Sequence, residues 1–208
     1  MSYDAVIFDV DGTLWDAREP VAVGWNRALE QLYGQPGTLT GPELGQHFGI
    51  PTEEIIRIVL PQLPETEIPR YAKACFALSN QCCMETPGRF YPGVLETLPK
   101  LAKKLPLYIV SNCQQGYIEC VIHGGKLEGL ISGYLCWGDT LAPKAETIRQ
   151  LMARHGLKHP AYVGDTQGDV EASLGAGIDV ISVTYGLGQA TTPQKTIDRF
   201  SQLLELLP

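Results

Sequence analysis

A chain of 208 residues, 44% hydrophobic and 19% charged, has room for one domain or one domain carrying an inserted lobe, and its apolar content excludes disorder as the main state. Its 16 Lys plus Arg against 23 Asp plus Glu give a net charge of -7, the wrong sign for tracking nucleic acid phosphates or an anionic membrane. No apolar run reaches the ~18 residues of a membrane span.

In the opening MSYDAVIFDV, Asp4 and Asp9 interrupt what would be the apolar stretch of a signal peptide, and the basic start is missing, so a cytoplasmic protein is expected. Its six cysteines (Cys75, Cys82, Cys83, Cys113, Cys120 and Cys136) then read as reduced thiols. No CxxC or HExxH spacing suggests zinc.

Tyr3 to Val10 reads as a buried strand, short, apolar and partly β-branched, closed by Asp11-Gly12. From Asp16 to about Pro87 the pattern is helical. One stripe is Val21, Trp25, Ala28, Leu29 and Leu32, stopped at Gly34; a second is Ile55, Ile56, Val59, Leu60 and Leu63; a third helix runs from about Glu65 to Cys82. Beyond it, strand-like runs at Leu105 to Val110, Ile131 to Trp137, Ala161 to Val163 and Val180 to Thr184 alternate with helical stripes. Those stripes include Val94, Leu98, Leu101 and Leu105, then Ile148, Leu151, Met152 and His155, and last Ile197, Phe200, Leu203, Leu204 and Leu207. Strands alternating with helices predict an α/β fold: a Rossmann-like parallel sheet with helices on both faces and an inserted α-helical lobe. The core is then 1–15 with 88–208, and 16–87 is the insertion, expected to hang over the carboxyl ends of the strands where open sheets bind ligands, the alternative being that its helices simply cover one face of the sheet.

Acidic residues gather in the turns after these strands. Asp9 and Asp11 are two apart as the chain leaves the first strand, Gly12 permits a sharp turn, and Thr13 adds a hydroxyl. Gly164-Asp165 follows Ala161 to Val163, with Asp169 four residues on at a helix start. Carboxylates converging at one sheet edge repel one another unless a cation joins them, and hard oxygen donors favour Mg²⁺. Ser111 and Asn112, directly after a strand, could hold phosphoryl oxygens, and Lys144, just inside a helix announced by Pro143, could neutralise a carboxylate and a phosphate together.

The runs Phe8-Asp9-Val10-Asp11-Gly12-Thr13-Leu14, Val110-Ser111-Asn112, Lys144, and Val163-Gly164-Asp165-Thr166-Gln167-Gly168-Asp169 resemble the four motifs of the haloacid dehalogenase-like hydrolase superfamily. The helical insertion resembles the small cap of its phosphoglycolate phosphatase and β-phosphoglucomutase branch, and Tyr91-Pro92-Gly93-Val94 resembles the return from cap to core. The resemblance implies that Asp9 attacks phosphorus and becomes an aspartyl phosphate, while Asp11 protonates the leaving alkoxide and later takes a proton from water. It further implies that Mg²⁺ is held by the Asp9 carboxylate, the Asp11 backbone carbonyl and Asp165, with Asp169 acting through water, and that Ser111 and Lys144 bind the phosphoryl group with Asn112 and Thr13 assisting. Asp11 stands where the dehalogenases lack an Asp, which favours phosphoryl chemistry, and Ala145 stands where related phosphatases often have Pro.

The expected activity is therefore Mg²⁺-dependent hydrolysis of a small phosphorylated metabolite. A phosphomutase of the β-phosphoglucomutase type is the alternative within enzymes; Thr13 tilts against it. A non-catalytic phospho-Asp switch, similar to receiver domains, is the alternative of another class, although such modules are shorter and have no insertion after the first strand. Arg18, Arg27, Arg57, Arg70 and Lys73 are cations of the insertion, read mainly as a solvated face, and Gly186-Leu187-Gly188 reads as a loop.

Overall fold

The structure, a computed structural model, describes residues 2–207. It separates into two compact units, one made of Met1–Asp16 and Phe90–Pro208, the other of Ala17–Arg89. The first apolar run condenses to strand β1 (Val6–Phe8), shorter than its apolar stretch because the chain turns at the acidic residues. After that turn, strand β2 (Trp15–Asp16) carries the chain out.

The smaller unit is helical. Helix α1 (Arg18–Tyr33) buries Val21, Trp25, Ala28 and Leu29 and stops at Gly34, whose φ of 65° suits a glycine C-cap. A short helix that the apolar pattern missed, α2 (Gly41–Gly45), is announced by a capping box between Thr40 and Glu43. Helix α3 (Thr52–Val59) follows, then α4 (Ile68–Glu85) after a single 3-10 turn at Glu65–Glu67. Helices α1 and α4 approach closely at Gly24, where a Cβ would come within 2.6 Å of the Ser79 backbone. Beside that contact, Tyr71 stands edge-on to Trp25 at 6.0 Å and donates its hydroxyl to the Trp25 carbonyl at 2.9 Å.

Strand β3 (Arg89–Phe90) pairs with β2 as the chain re-enters the larger unit. The alternation that follows is α5 (Val94–Leu101), β4 (Leu107–Ser111), α6 (Tyr117–Gly125), β5 (Ile131–Cys136), the short α7 (Trp137–Thr140), and α8 (Lys144–His155). It continues with β6 (Ala161–Gly164), α9 (Gln167–Ala176), β7 (Asp179–Val183), β8 (Lys195–Ile197) and α10 (Leu203–Leu206).

The C-terminal stripe also departs from expectation. The stripe from Ile197 to Leu207 is not one helix: Ile197 closes β8, which pairs with β7 at the sheet edge, and only Phe200 to Leu206 is helical, as a 3-10 turn and then α10. Residues spaced three and four apart served two elements in succession.

Six strands form one parallel sheet in the order β5-β4-β1-β6-β7-β8. Side chains alternate between its faces. Ile7, Tyr108, Val110, Leu135, Tyr162 and Val180 share a core cluster with Ile148 and Leu151 of α8 and Val170 of α9. On the other face, Phe8 meets Phe200 with ring centroids 5.6 Å apart. Because both faces are covered, the strands read as nearly continuous apolar runs. The chain runs from β1 outward through β4 to β5 and then crosses back to β6 on the other side of β1, so the carboxyl ends of β1 and β6 form a topological switch point, where open sheets leave a crevice for ligands.

Candidate active site

The register of the sheet builds the site. Phe8 lies level with Ile109 of β4 and with Val163 of β6, and the Asp9 N–H donates to the Val163 carbonyl at 2.9 Å. Residues that end β1, β4 and β6 therefore emerge side by side. Asp9, Ser111, Asp165 and Asp169 are all buried.

One carboxylate oxygen each from Asp9, Asp165 and Asp169 falls within a group spanning no more than 4.8 Å. Lys144, the first residue of α8 behind the N-cap Pro143, reaches in from its own helix. Its Nζ donates to Asp9 Oδ1 at 2.8 Å and to Asp169 Oδ1 at 2.7 Å. Ala145 in place of a proline leaves that start intact. Tyr162 lies beneath, with Nζ 5.8 Å from its ring centroid and its hydroxyl donating to the Val110 carbonyl at 2.9 Å.

Asp169 is fixed as the third residue of α9. Its Oδ2 accepts from the Thr166 N–H at 3.0 Å and hydroxyl at 2.7 Å, while the Thr166 hydroxyl accepts from the Asp169 N–H at 3.1 Å, a complete capping box. Asp165 Oδ2 accepts from the Leu187 and Gly188 N–H groups at 2.9 and 2.6 Å. Asp165 Oδ1 is buried with no hydrogen-bond partner, as is Thr13 Oγ1.

Two glycines make this packing possible. At Gly12, with φ of 83°, a Cβ would meet Asp165 Oδ2 at 2.1 Å, and at Gly186 it would meet Asp165 Cβ at 2.4 Å and the Gly12 carbonyl oxygen at 2.5 Å. The segment Gly186 to Gly188, read from sequence as a plain loop, thus forms one wall of the site.

Electrostatics follow from burying several acids together. Burial pushes the Asp9 carboxyl up to about 8 against the pull of the Lys144 ammonium, with the charges of Asp169 and Asp165 adding to the rise. Burial likewise raises Asp165 to about 6, opposed by its amide donors. Asp169 goes the other way: against burial, the Lys144 charge and hydrogen bond hold it below the usual carboxylate range. Lys144 in turn is kept charged by Asp169 and Asp9 in spite of burial.

Asp11 lies outside that group of three carboxylates but feels the charge of Asp165. Its Oδ1 accepts from the Tyr117 hydroxyl at 2.8 Å, and burial raises its carboxyl to about 7. Tyr117, the first residue of α6, escaped the sequence reading because it is indistinguishable there from the apolar stripe it begins with Ile118 and Val121. Of the phosphate-binding candidates, Ser111 closes β4 in the buried group and Asn112 follows it at the surface. In the helical unit, Arg27 pairs with Glu85, Arg57 with Glu65 and Arg70 with Glu67, all on exposed faces, and Lys73 is exposed. All six cysteines are free thiols.

The donor chemistry fits a divalent cation. Three carboxylates offer hard oxygens from one small volume, and Asp165 Oδ1 is buried with nothing to accept from. The profile of the haloacid dehalogenase-like hydrolases matches residues 6–183.

The chain belongs to that family.

This haloacid dehalogenase-like hydrolase is 27% identical to the phosphoglycolate phosphatase of Colwellia psychrerythraea, covering 97% of this chain and 95% of that protein. It is 28% identical to the phosphoglycolate phosphatase of Haemophilus influenzae, covering 96% of each. The expected class, phosphoric monoester hydrolase, is that of these named relatives. Among solved structures, a predicted phosphoglycolate phosphatase from Haemophilus somnus superposes over 100% of this chain and 99% of its own with a TM-score of 0.85 at 24% identity. A haloacid dehalogenase-like hydrolase from Streptococcus pneumoniae gives 0.84 at 19% identity over 99% of both chains. These two establish the fold, the Rossmann-like α/β arrangement with a helical insertion. Among the described residues, no helix is long and apolar enough to cross a membrane.

Proposed function

We propose that this hydrolase is a phosphatase that removes phosphate from a small phosphorylated metabolite through an aspartyl phosphate on Asp9, with phosphoglycolate, the compound in its relatives' names, as the first substrate to try. The observation that carries the reading is the buried Asp9 carboxylate, held by Lys144 at 2.8 Å and grouped with Asp165 and Asp169. Mg²⁺ is the proposed ion, held by Asp9, Asp165, Asp169 and the Asp11 backbone carbonyl. When bound it would supply positive charge against the acids and the phosphoryl oxygens.

Uncatalysed phosphate monoester hydrolysis is so slow that the site has to supply roughly 20 kcal/mol of transition-state stabilisation. No single contact does that. Lys144, Ser111, Asn112 and Thr13 would hold the phosphoryl oxygens, which fixes phosphorus in front of Asp9. An Asp9 oxygen then bonds to phosphorus as the bond to the leaving oxygen breaks, and Asp11 gives its proton to that oxygen. In the second step Asp11 takes a proton from water, the water oxygen bonds to phosphorus, and the bond to Asp9 breaks to release inorganic phosphate. An Asp11 carboxyl raised to about 7 by burial is suited to both transfers near neutral pH. Residues 16–87 are proposed as the cap segment of the branch the sequence resembles.

A panel of phosphorylated metabolites, read by free phosphate with Mg²⁺ and with chelator, tests the proposal. Catalytic release that stops on chelation supports it. Phosphate transferred within a hexose phosphate instead of released, or one phosphate retained per chain, contradicts it.

A further inference from the structure

The Asp11 carboxyl is not one of the three grouped carboxylates, and its hydrogen bond comes from a residue outside them. Tyr117 donates its hydroxyl to Asp11 Oδ1 at 2.8 Å across 106 residues of sequence. The Tyr117 ring is only 2% exposed and stands edge-on to the buried Trp15 at 5.6 Å and 69°, and Trp15 in turn meets Phe90 at 5.7 Å. Trp15 also belongs to the turn that carries Asp11: the Gly12 N–H donates to the Trp15 carbonyl at 3.0 Å, and Asp11 bridges to Trp15. Both ends of the Tyr117–Asp11 bond therefore meet Trp15, the tyrosine through its ring and the aspartate through its backbone, and Tyr117 sits on the first turn of α6 behind Gly116.

We infer that Tyr117 is a positioning residue for the acid step, fixing the Asp11 carboxyl so that Oδ2, the oxygen not engaged by the Tyr117 hydroxyl, carries the proton delivered to the leaving group. This rests on the phosphatase reading above and deepens it. The carbonyl oxygen of a carboxylic acid is its better acceptor, so a donor at Oδ1 favours the proton on Oδ2. As the bond between phosphorus and the leaving oxygen breaks and the bond to Asp9 forms, that oxygen takes the Oδ2 proton and Asp11 is left as a carboxylate still held by Tyr117. Without the hydroxyl, the Asp11 carboxyl loses the partner that fixes Oδ1, and small misplacements of a proton donor are expensive in rate.

The contribution of Tyr117 then depends on how much help the leaving group needs. An alkoxide is strongly basic and leaves only with a proton, whereas p-nitrophenolate leaves unaided. The test compares kcat/KM, which reports the first phosphoryl transfer, for an alkyl phosphate and for p-nitrophenyl phosphate in the Mg²⁺-loaded full chain. For Tyr117→Phe, which removes one oxygen and keeps the ring packing, the alkyl value falls about tenfold or more while the aryl value stays within about threefold. Asp11→Asn shows the same selectivity, larger. Thermal melts of both variants accompany the kinetics, because a merely structural Tyr117 lowers both substrates' rates in equal proportion along with the melting temperature. Equal loss on both substrates, or no loss on either, overturns the inference while leaving the phosphatase reading intact. A wild-type chain that turns over neither phosphate overturns the phosphatase reading instead.

Discussion

Lys144 and Asp9, 135 residues apart, share a hydrogen bond of 2.8 Å in a buried site, and the same ammonium holds Asp169 at 2.7 Å. One cation thus offsets two of three clustered acids. Removing it leaves buried carboxylates with no opposite charge. Lys144→Met is expected to destabilise the metal-free chain by roughly 3 kcal/mol or more at pH 8 and to lower phosphatase activity at least about 100-fold. Denaturant melts in chelator and steady-state rates check the two effects, and unchanged stability contradicts the first.

The raised carboxyls set a pH dependence of unusual sign. In the folded chain Asp9, Asp11 and Asp165 keep their protons up to about 8, 7 and 6, whereas an unfolded chain loses them near pH 4. Between pH 4 and these values the folded state binds more protons than the unfolded one, so stability falls as pH rises. Asp169, held low, works in the opposite sense, its contribution being lost only as pH falls below the normal carboxylate range. The metal-free chain is therefore expected to be more stable at pH 5.5 than at pH 8. Asp165→Asn, whose amide oxygen can keep the Leu187 and Gly188 donors, raises stability at pH 8 by on the order of 1–3 kcal/mol. Calorimetry in chelator at the two pH values decides it.

Two glycines that look alike in sequence are predicted to differ. Gly186→Ala puts a methyl 2.4 Å from Asp165 Cβ and 2.5 Å from the Gly12 carbonyl oxygen, and something must shift. A loss of stability together with a severe loss of activity is expected. Gly168, in the first turn of α9, would bring a Cβ no closer than 3.5 Å to Thr166 Oγ1. Gly168→Ala is expected to raise stability by up to about 1 kcal/mol, because alanine favours the helix. Parallel melts of the two variants check the contrast.

Asp11 must hold its proton to serve as an acid, so activity on alkyl phosphates is expected to decline as pH rises through the range in which that proton is lost, near 7. In Asp11→Asn the declining limb disappears and the residual rate is lower by about 10²–10⁴. A pH–rate profile of the two proteins shows whether the limb belongs to this residue.

Much of the site was legible because two of its acids directly follow apolar runs that become strands, Asp9 after β1 and Asp165 after β6, with Ser111 closing β4. A parallel sheet brings such strand ends together whatever their distance in sequence. Lys144 was legible from Pro143 before it and from the resemblance. Tyr117 was not, because an aromatic residue in an apolar stripe gives no sign of where its hydroxyl goes. Nor was the Gly186–Gly188 wall, whose amides acquire a role only when Asp165 arrives beneath them. The edge strand ending at Ile197 was hidden for a related reason: its pairing with β7 is a tertiary contact, and its apolar spacing continues smoothly into the helical turns after it.

The claim on which the mechanism depends is that Asp9 carries the phosphoryl group during turnover. Acid quenching of the Mg²⁺-loaded chain in the steady state, followed by mass spectrometric mapping of a hydroxylamine-labile phosphate, tests it directly. The account predicts that phosphate on the peptide containing Asp9, and none on an Asp9→Asn chain; rapid turnover with the phosphate on another residue would contradict it.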